Sequence, residues 1–189
     1  MDTLPSCPRL KAYIEEVRGI VRKASSDAQI VDEVQVAAKD LVQGPLDLHP
    51  DYLRVPEDGY GRNLIYRDRE LGLVVIAMAW PPGIQGAPHD HGTWGVVAVA
   101  EGEVVLENYE RVDDGSDPEE ISLKARDCVE GAVGDVGFVL PPEVDFHTVG
   151  NRLQDGRSLT IHTYGIDIRE CNLVCPETGK LKRVYPSYL

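Results

Sequence analysis

Three histidines have the residue type and spacing to bind a metal ion. His89 and His91 are separated by one residue, and His147 follows far downstream. In an extended segment, residues i and i+2 point to the same side, so the first two rings are expected to face one ion, with Asp90 pointing away. Imidazole is a good ligand for iron, zinc and other divalent metals. The spacing therefore predicts a metal site formed by these three histidines.

The residues around the three histidines resemble the two motifs of the cupin superfamily. In the first motif, a Gly precedes the His-x-His pair, and a Glu ligand and a second Gly follow it. Gly83 and Gly102 match the two glycines, but Gly95 stands where the Glu is expected. The second motif ends in a His with an Asn four residues later, as His147 and Asn151 do. The resemblance implies a small β-barrel that binds a metal inside from two separate strands.

Gly95 leaves this site without a carboxylate ligand. Three neutral imidazoles do not reduce the charge of a divalent ion, which favours anionic substrate groups such as a thiolate or a carboxylate. Three ligands on one face also leave three positions open, which is room for a bidentate substrate and dioxygen. A zinc ion with one bound water would point to hydrolysis instead.

Three further segments resemble the cysteine dioxygenase family, and the resemblance covers most of the chain. The sequence Tyr-Gly-Arg-Asn-Leu at 60–64 is similar to a Tyr-x-Arg-Asn-Leu segment whose Arg binds the substrate carboxylate. Thr-Ile-His-Thr-Tyr at 160–164 resembles a Ser-x-His-x-Tyr row beside the iron. A guanidinium group suits a carboxylate because its planar N–H donors can form two parallel bonds. Alternate residues of a strand share one face, so the row can be hydrogen-bonded. Cys171 and the segment 176–179 resemble the closing part of the family fold.

The resemblance implies an Fe(II)-dependent enzyme that adds both atoms of O2 to a small thiol and forms a sulfinate. It implies that the substrate thiolate binds the iron, which lowers the thiol pKa. Tyr164 is expected to hydrogen-bond the reacting groups. The implied site residues are the metal ligands His89, His91 and His147, the substrate-binding Arg62 and Tyr60, and the catalytic Tyr164, His162 and Thr160.

The chain departs from the family pattern in two places. Thr160 replaces the Ser of the row, but it retains a hydroxyl. Animal enzymes crosslink a Cys to the active-site Tyr, whereas residues 94–96 here read Trp-Gly-Val. We therefore expect the crosslink to be absent, as in bacterial members of the family.

Several alternatives remain open at this point. Arg62 favours L-cysteine, because related bacterial enzymes that oxidise 3-mercaptopropionate tend to have Gln there. Mercaptosuccinate would need a second carboxylate clamp, for which Arg67, Arg69 and Arg169 are candidates, although exposed charges are the usual role of Arg. A non-catalytic metal- or ligand-binding cupin is the alternative from another class. A zinc or manganese isomerase is a third, disfavoured by the missing carboxylate. Three of the implied site residues also have purely structural alternatives. Tyr60 could be a core residue, Arg62 could form a structural ion pair, and His162 could be a buried structural histidine.

The elements that must position these residues change character along the chain. In residues 1–45, apolar residues recur at spacings of three and four, which predicts two helices. From residue 59 onward, short β-rich runs alternate with turn signals, which predicts antiparallel strands near 63–66, 73–80, 95–100, 104–109, 136–140, 159–164 and 181–185. The predicted fold is mainly β: a cupin double-stranded β-helix, or jelly-roll barrel, with N-terminal α-helices. We expect a single domain over 1–189, with the barrel in 59–189.

The composition excludes some partners. A net charge of -13 over 189 residues argues against nucleic acid and against an anionic membrane surface. The sequence shows neither a membrane-spanning run nor a leader at its N-terminus, so we expect a cytoplasmic protein. The four cysteines form no CxxC pair, and free thiols are expected. The expected partners are a small thiol and O2, and the expected state is a monomer or weak homo-oligomer.

Overall fold

Two helices precede the strands. A computed structural model describes residues 3–117 and 119–189. Met1 and Asp2, which belong to the stretch expected to hold no leader, lie outside the described residues. Helix α1 spans Pro8–Lys23 and helix α2 spans Asp27–Leu41, and a short 3₁₀ helix follows at Pro50–Leu53. The strands are β1 (Gly61–Arg67), β2 (Val74–Trp80), β3 (Gly95–Glu101), β4 (Glu103–Arg111), β5 (Leu123–Ala132), β6 (Val136–Val139), β7 (Phe146–Gly150), β8 (Ser158–Tyr164), β9 (Cys171–Val174) and β10 (Leu181–Val184).

The helices form where the apolar spacing predicts them. On α1, Leu10, Ile14 and Val17 are fully buried. At the start of α2, the Ser26 hydroxyl accepts a hydrogen bond from the backbone N–H of Gln29 at 3.3 Å. That bond satisfies one of the donors that a first helical turn leaves unpaired. Both helices therefore bury one face in the core, and α2 begins at a capping side chain.

The strands form two larger antiparallel sheets and a small one. The first sheet has the order β1-β2-β8-β3-β6, the second has β5-β4-β7, and β9 pairs with β10. Strand β8 comes late in the chain, yet it lies between β2 and β3 at the centre of the five-stranded sheet. Every residue of β8 is buried, so both of its faces pack against protein.

Two apolar layers cover the two faces of the five-stranded sheet. On the outer face, Ala77, Ala98 and Ile161 pack with the helices in one cluster. On the inner face, Ile76 and Val99 pack with residues of the three-stranded sheet in a second cluster. The predicted fold class, a mainly β jelly-roll barrel with N-terminal helices, is confirmed.

The structure also differs from the sequence prediction. Strands β5, β7 and β9 lie outside the apolar runs that predict strands. His89 and His91 lie in the connection between β2 and β3 rather than on a strand, although the backbones of His89 and His147 exchange hydrogen bonds of 3.1 and 3.3 Å. These bonds to β7 hold the connection in extended form. The rings of His89 and His91 therefore point to the same side, as predicted.

Within residues 3–117 and 119–189, no helix is long and apolar enough to cross a membrane. That the whole chain 1–189 forms one domain, with helices in 1–45 and the barrel in 59–189, stays a prediction.

Candidate metal centre

The three histidine rings converge from two elements. His89 and His91 come from the connection after β2, and His147 comes from β7. The ring centroids are 4.7 Å apart for His89 and His91, 4.9 Å for His89 and His147, and 4.7 Å for His91 and His147. One nitrogen from each ring lies within 4.8 Å of the other two. The sequence-predicted ligand set is thus brought together as one three-nitrogen group.

Hydrogen bonds fix how these rings are turned. Nδ1 of His89 lies 2.9 Å from the backbone oxygen of Ala87, and Nδ1 of His91 lies 3.0 Å from that of Asp145. The Asp145 carboxylate also accepts the backbone N–H of His91 at 2.8 Å. A ring that donates from Nδ1 presents the Nε2 lone pair, which is how metal-binding histidines are oriented.

The remaining ring nitrogens are unusual for buried polar atoms. Nε2 of His91 and Nε2 of His147 are buried, and neither has a hydrogen-bond partner among residues 3–117 and 119–189. Leaving a buried polar atom without a partner is costly, so such pairs of atoms call for an explanation. A metal ion coordinated by both nitrogens would supply it. The donor set of three imidazoles fits iron, zinc and related divalent ions.

Two of the three histidines are held neutral, as metal ligands must be. Burial, together with the neighbouring His91, lowers the pKa of His89 to about 4. Burial also lowers the pKa of His147 well below its ordinary value, with His91 and His89 acting in the same direction. These two rings can therefore accept a metal at neutral pH without first releasing a proton.

Gly95 has a steric role that its place in the motif does not reveal. A Cβ at this position would lie 2.5 Å from Cδ1 and 2.6 Å from Cε1 of Tyr164, and 2.9 Å from Cγ2 of Val139. Gly95 is paired with Tyr164 across β3 and β8, so the tyrosine ring lies directly over it. The ring of Tyr164 also stacks on His91, with centroids 5.5 Å apart. A glutamate at position 95 and the present position of Tyr164 exclude each other.

The polar row predicted on β8 is continuous. Thr160 Oγ1 lies 2.7 Å from His162 Nε2, and His162 Nδ1 lies 2.9 Å from the Tyr164 hydroxyl. The row extends one residue beyond the prediction, because Trp80 Nε1 donates to Thr160 Oγ1 at 2.8 Å. All four side chains are buried.

The donors of the row assign it a direction. The indole N–H of Trp80 can only donate, so Thr160 accepts from it. The fully buried Thr160 hydroxyl then donates to Nε2 of His162, its acceptor in the row, and His162 donates from Nδ1 to the oxygen of Tyr164. This arrangement leaves the hydroxyl proton of Tyr164 available to a neighbouring group.

Both titratable members of the row stay neutral. Burial, together with His91, His89 and Arg62, lowers the pKa of His162 to about 3. Burial raises the pKa of the Tyr164 phenol, although Arg62 opposes the rise. Tyr164 is therefore a hydrogen-bond donor, not a phenolate, at neutral pH.

Arg62 faces the same interior as the row. It pairs with Met78 on β2, and Met78 pairs with Thr160 on β8. Nη2 of Arg62 donates to the backbone oxygen of Ile168 at 3.2 Å. Nη1 is buried and has no hydrogen-bond partner in the described part of the chain. A guanidinium edge is thus held next to Tyr164 with one donor unused.

Tyr60 lies at the other end of the row. Its ring is tilted against that of Trp80, with centroids 4.5 Å apart, and 36% of the residue is exposed. Burial of the phenol raises its pKa, the Cys171 thiol adds to the rise, and Arg62 opposes it. Tyr60 therefore lies near Arg62, at the edge of the interior rather than in the core.

One candidate for a second carboxylate clamp, Arg67, lies beside the same aromatic ring as Arg62, with its Cζ 5.5 Å from the centroid of Tyr188. Arg67 and Arg169 both pair with Asp167, at 3.0 and 2.8 Å, and Arg69 is exposed. His49 is exposed and caps the 3₁₀ helix, where its Nδ1 accepts the backbone N–H of Asp51 at 3.3 Å. All four cysteines are free, as expected.

Sequence reasoning missed two parts of the site. Asp145 stands two residues before His147, so a search for a carboxylate beside the ligand could have found it. Trp80 ends an apolar strand, and an indole there carries no signal that it extends a polar row. Its role follows only from the pairing of β2 with β8.

No protein-family model matches the chain. Among solved structures, a cupin superfamily protein from Desulfitobacterium hafniense is similar at 14% identity over 60% of this chain and 84% of that one, with a TM-score of 0.42. A protein with a double-stranded β-helix domain from Klebsiella pneumoniae is similar at 15% identity over 72% and 86%, with a TM-score of 0.45. An acetylacetone dioxygenase from Acinetobacter johnsonii is similar at 16% identity over 73% and 81%, with a TM-score of 0.46. These similarities concern the fold.

Proposed function

We propose that this protein is an iron-dependent thiol dioxygenase that converts a small thiol carboxylate and O2 to the sulfinate. One observation carries the proposal: a three-histidine group, the hydroxyl of Tyr164 and an unused donor of Arg62 are grouped at one face of the barrel interior. A metal ion alone needs neither the phenol nor the guanidinium. The sequence resemblance to the cysteine dioxygenases supports the same function.

His89, His91 and His147 would hold Fe(II), which when bound supplies the open positions where a thiolate and dioxygen meet. Both oxygen atoms of one O2 are added to one sulfur, so the thiol becomes a sulfinate and no other reductant is consumed. Arg62 binds the substrate carboxylate through Nη1, which has no hydrogen-bond partner in the described part of the chain, and its charge opposes the rise in the pKa of the Tyr164 phenol. Tyr164 donates a hydrogen bond to the reacting groups, because its oxygen already accepts the hydrogen bond from Nδ1 of His162. Tyr60 closes the interior beside Arg62.

L-Cysteine is the substrate that we favour. Arg62 provides one carboxylate clamp, and the pairing of Arg67 and Arg169 with Asp167 argues against a second clamp for mercaptosuccinate. 3-Mercaptopropionate, which has the same thiol and carboxylate but no amine, is the closer alternative. The two differ only in whether the site also recognises an amine.

A non-catalytic cupin that binds a metal or a small ligand is the candidate from another class. The directed row from Trp80 to Tyr164 argues against it, because the row orients a donor that a binding module would not require. We further propose a cytoplasmic, single-domain protein that is a monomer or weak homo-oligomer.

Oxygen uptake tests the function directly. The protein is purified anaerobically, its metal is measured, and oxygen uptake is followed with L-cysteine, 3-mercaptopropionate, mercaptosuccinate and cysteamine. We expect iron-dependent uptake that is fastest with L-cysteine, and a sulfinate that carries two labelled oxygens when labelled O2 is supplied. His147→Ala should lose both iron and activity, whereas His49→Ala, at an exposed histidine, should keep both.

Failure would take either of two forms. Absence of iron-dependent uptake with every thiol would reject the enzyme and favour the non-catalytic binder. Faster uptake with cysteamine, which has no carboxylate, than with the three acids would reject the role of Arg62.

A further inference from the structure

The aromatic ring of Tyr188 lies against the guanidinium group of Arg62. Cζ of Arg62 is 4.2 Å from the centroid of the ring. A cation at this distance from an aromatic face is attracted by the ring electrons, and the attraction grows where water is excluded. With the guanidinium carbon over the ring, Nη2 donates to the backbone oxygen of Ile168, and Nη1 has no hydrogen-bond partner among the described residues.

Tyr188 is itself fixed by a charged group. Its hydroxyl donates to Oδ1 of Asp167 at 2.6 Å, and the other carboxylate oxygen pairs with Arg67 at 3.0 Å and with Arg169 at 2.8 Å. Burial raises the pKa of Asp167, but the bond from Tyr188 and the two arginines outweigh it and lower the pKa overall. Asp167 is therefore an ionised anchor for the phenol.

The backbone next to Tyr188 is also attached to β1. The N–H of Leu189 donates to the backbone oxygen of Arg62 at 3.0 Å, and Nη2 of Arg54 donates to the backbone oxygen of Leu189 at 3.2 Å. Strand β1 is an edge strand of its sheet, so its free backbone groups can accept this extra segment. The segment thus contacts both the backbone and the side chain of Arg62.

We infer that Tyr188 is a positioning residue that holds Arg62 ready for the substrate carboxylate, and that the bond from Tyr188 to Asp167 fixes the ring in that place. The inference rests on the carboxylate-binding role proposed for Arg62. It goes beyond that role because it assigns substrate selection to a residue outside the row and outside the ligand set. Tyr188 acts on the substrate through Arg62, so its effect should be confined to substrates that carry a carboxylate.

Three variants separate the contributions. Tyr188→Leu removes the aromatic face, Tyr188→Phe keeps the face and loses the bond to Asp167, and Tyr185→Leu changes a 70% exposed tyrosine of the same segment as a control. Each iron-loaded variant is titrated anaerobically by calorimetry with 3-mercaptopropionate and with cysteamine, and KM and kcat are measured with L-cysteine and cysteamine. Thermal unfolding shows which variants are folded.

We expect Tyr188→Leu to raise Kd and KM for the carboxylated thiols by about tenfold and Tyr188→Phe by about threefold, with KM affected more than kcat. Constants for cysteamine and for the Tyr185→Leu control should match the unsubstituted protein. An equal loss with cysteamine would overturn the inference, because it would mean a general structural defect. Unchanged Kd and KM values for the carboxylated thiols in Tyr188→Leu would also overturn the inference. If Tyr188→Leu does not fold, unchanged values in Tyr188→Phe would overturn it.

Failure of the proposed reaction would look different. If the unsubstituted protein consumes no oxygen, the dioxygenase is rejected, and the ratio of the two calorimetric Kd values still decides the role of Tyr188. If it binds cysteamine as tightly as 3-mercaptopropionate, both the Arg62 clamp and the role of Tyr188 are rejected.

Discussion

At the scale of single residues, Gly95 does more than omit a carboxylate ligand. The absence of a side chain at this position leaves the space that the Tyr164 ring occupies. The sequence suggests only that a carboxylate has been omitted, whereas the structure places the Tyr164 ring where a Cβ would have to lie. We therefore predict that Gly95→Ala displaces Tyr164, lowers kcat by at least about tenfold and costs about 1–3 kcal/mol of unfolding free energy through overpacking. Oxygen uptake and denaturant unfolding measure the two effects. Gly137→Ala on β6, where a Cβ would meet only Leu106 at 3.8 Å, is the matched control.

The same contact makes Gly95→Glu informative. If the omitted ligand were all that distinguishes this site from the cupin motif that it resembles, the glutamate would restore a four-ligand centre with an unchanged row. We expect loss of activity instead, because the larger side chain must displace the ring. Retained activity in either Gly95 variant would contradict the steric role.

Arg62 carries the second prediction at this scale. Arg62→Ala should raise KM for L-cysteine by the equivalent of about 2–5 kcal/mol, the usual cost of removing one partner of a buried charge pair. KM for cysteamine should change little, since that substrate has no carboxylate to lose. An unchanged KM for L-cysteine would reject the clamp.

At the scale of the element, β8 uses its two faces for different purposes. Thr160, His162 and Tyr164 form the row on one face, while Thr163 on the other face hydrogen-bonds the Tyr13 hydroxyl of α1 at 2.6 Å. Thr160→Val removes a hydroxyl at nearly constant shape, so His162 loses its donor and Tyr164 its fixed orientation. We predict a fall in kcat of about tenfold to a hundredfold with little change in KM, in keeping with a lost donor network. Thr160→Ser should stay active.

Thr163→Val is the control for that strand. It should cost about 1–3 kcal/mol of unfolding free energy, because the buried Tyr13 hydroxyl loses its partner, and it should leave kcat unchanged. Equal effects of the two valine variants on kcat would mean that the row has no special role.

The elements also show where the sequence was sufficient. Strands such as β2 and β8 were predictable because both faces are buried and the sequence is continuously apolar or β-branched. Strand β5 was not, because it is an edge strand whose residues, almost all exposed, leave no apolar pattern. The three histidines and the row were predictable because each set depends on local spacing. Trp80 and Tyr188 join the site through contacts across 80 and 126 residues of sequence, and local spacing carries no trace of them.

At the scale of the whole molecule, the fold keeps a polar row away from water on every side. The helices cover the outer face of the five-stranded sheet, and the second sheet covers its inner face. The row therefore lies in a buried layer, although the protein carries a net charge of -13. Water is excluded there, so hydrogen bonds within the row are stronger than on the surface, and ionising any member is more costly.

This burial predicts how stability depends on pH in the metal-free protein. A histidine of the unfolded chain has a pKa near 6.5, whereas burial lowers the pKa of His162 to about 3 in the folded protein. Between these values the unfolded chain binds a proton that the folded one does not, so acid favours unfolding. The stabilisation is complete above the unfolded pKa and declines as the pH falls below it. Between about pH 7 and about pH 5, the protonation of His162 in the unfolded chain should lower the free energy of unfolding by about 2 kcal/mol.

Urea unfolding of chelator-treated protein measures how the free energy of unfolding changes with pH. This slope should be shallower in His162→Gln and unchanged in the exposed control His49→Gln. Equal slopes in the unsubstituted protein and His162→Gln would show that His162 is not held neutral by the fold.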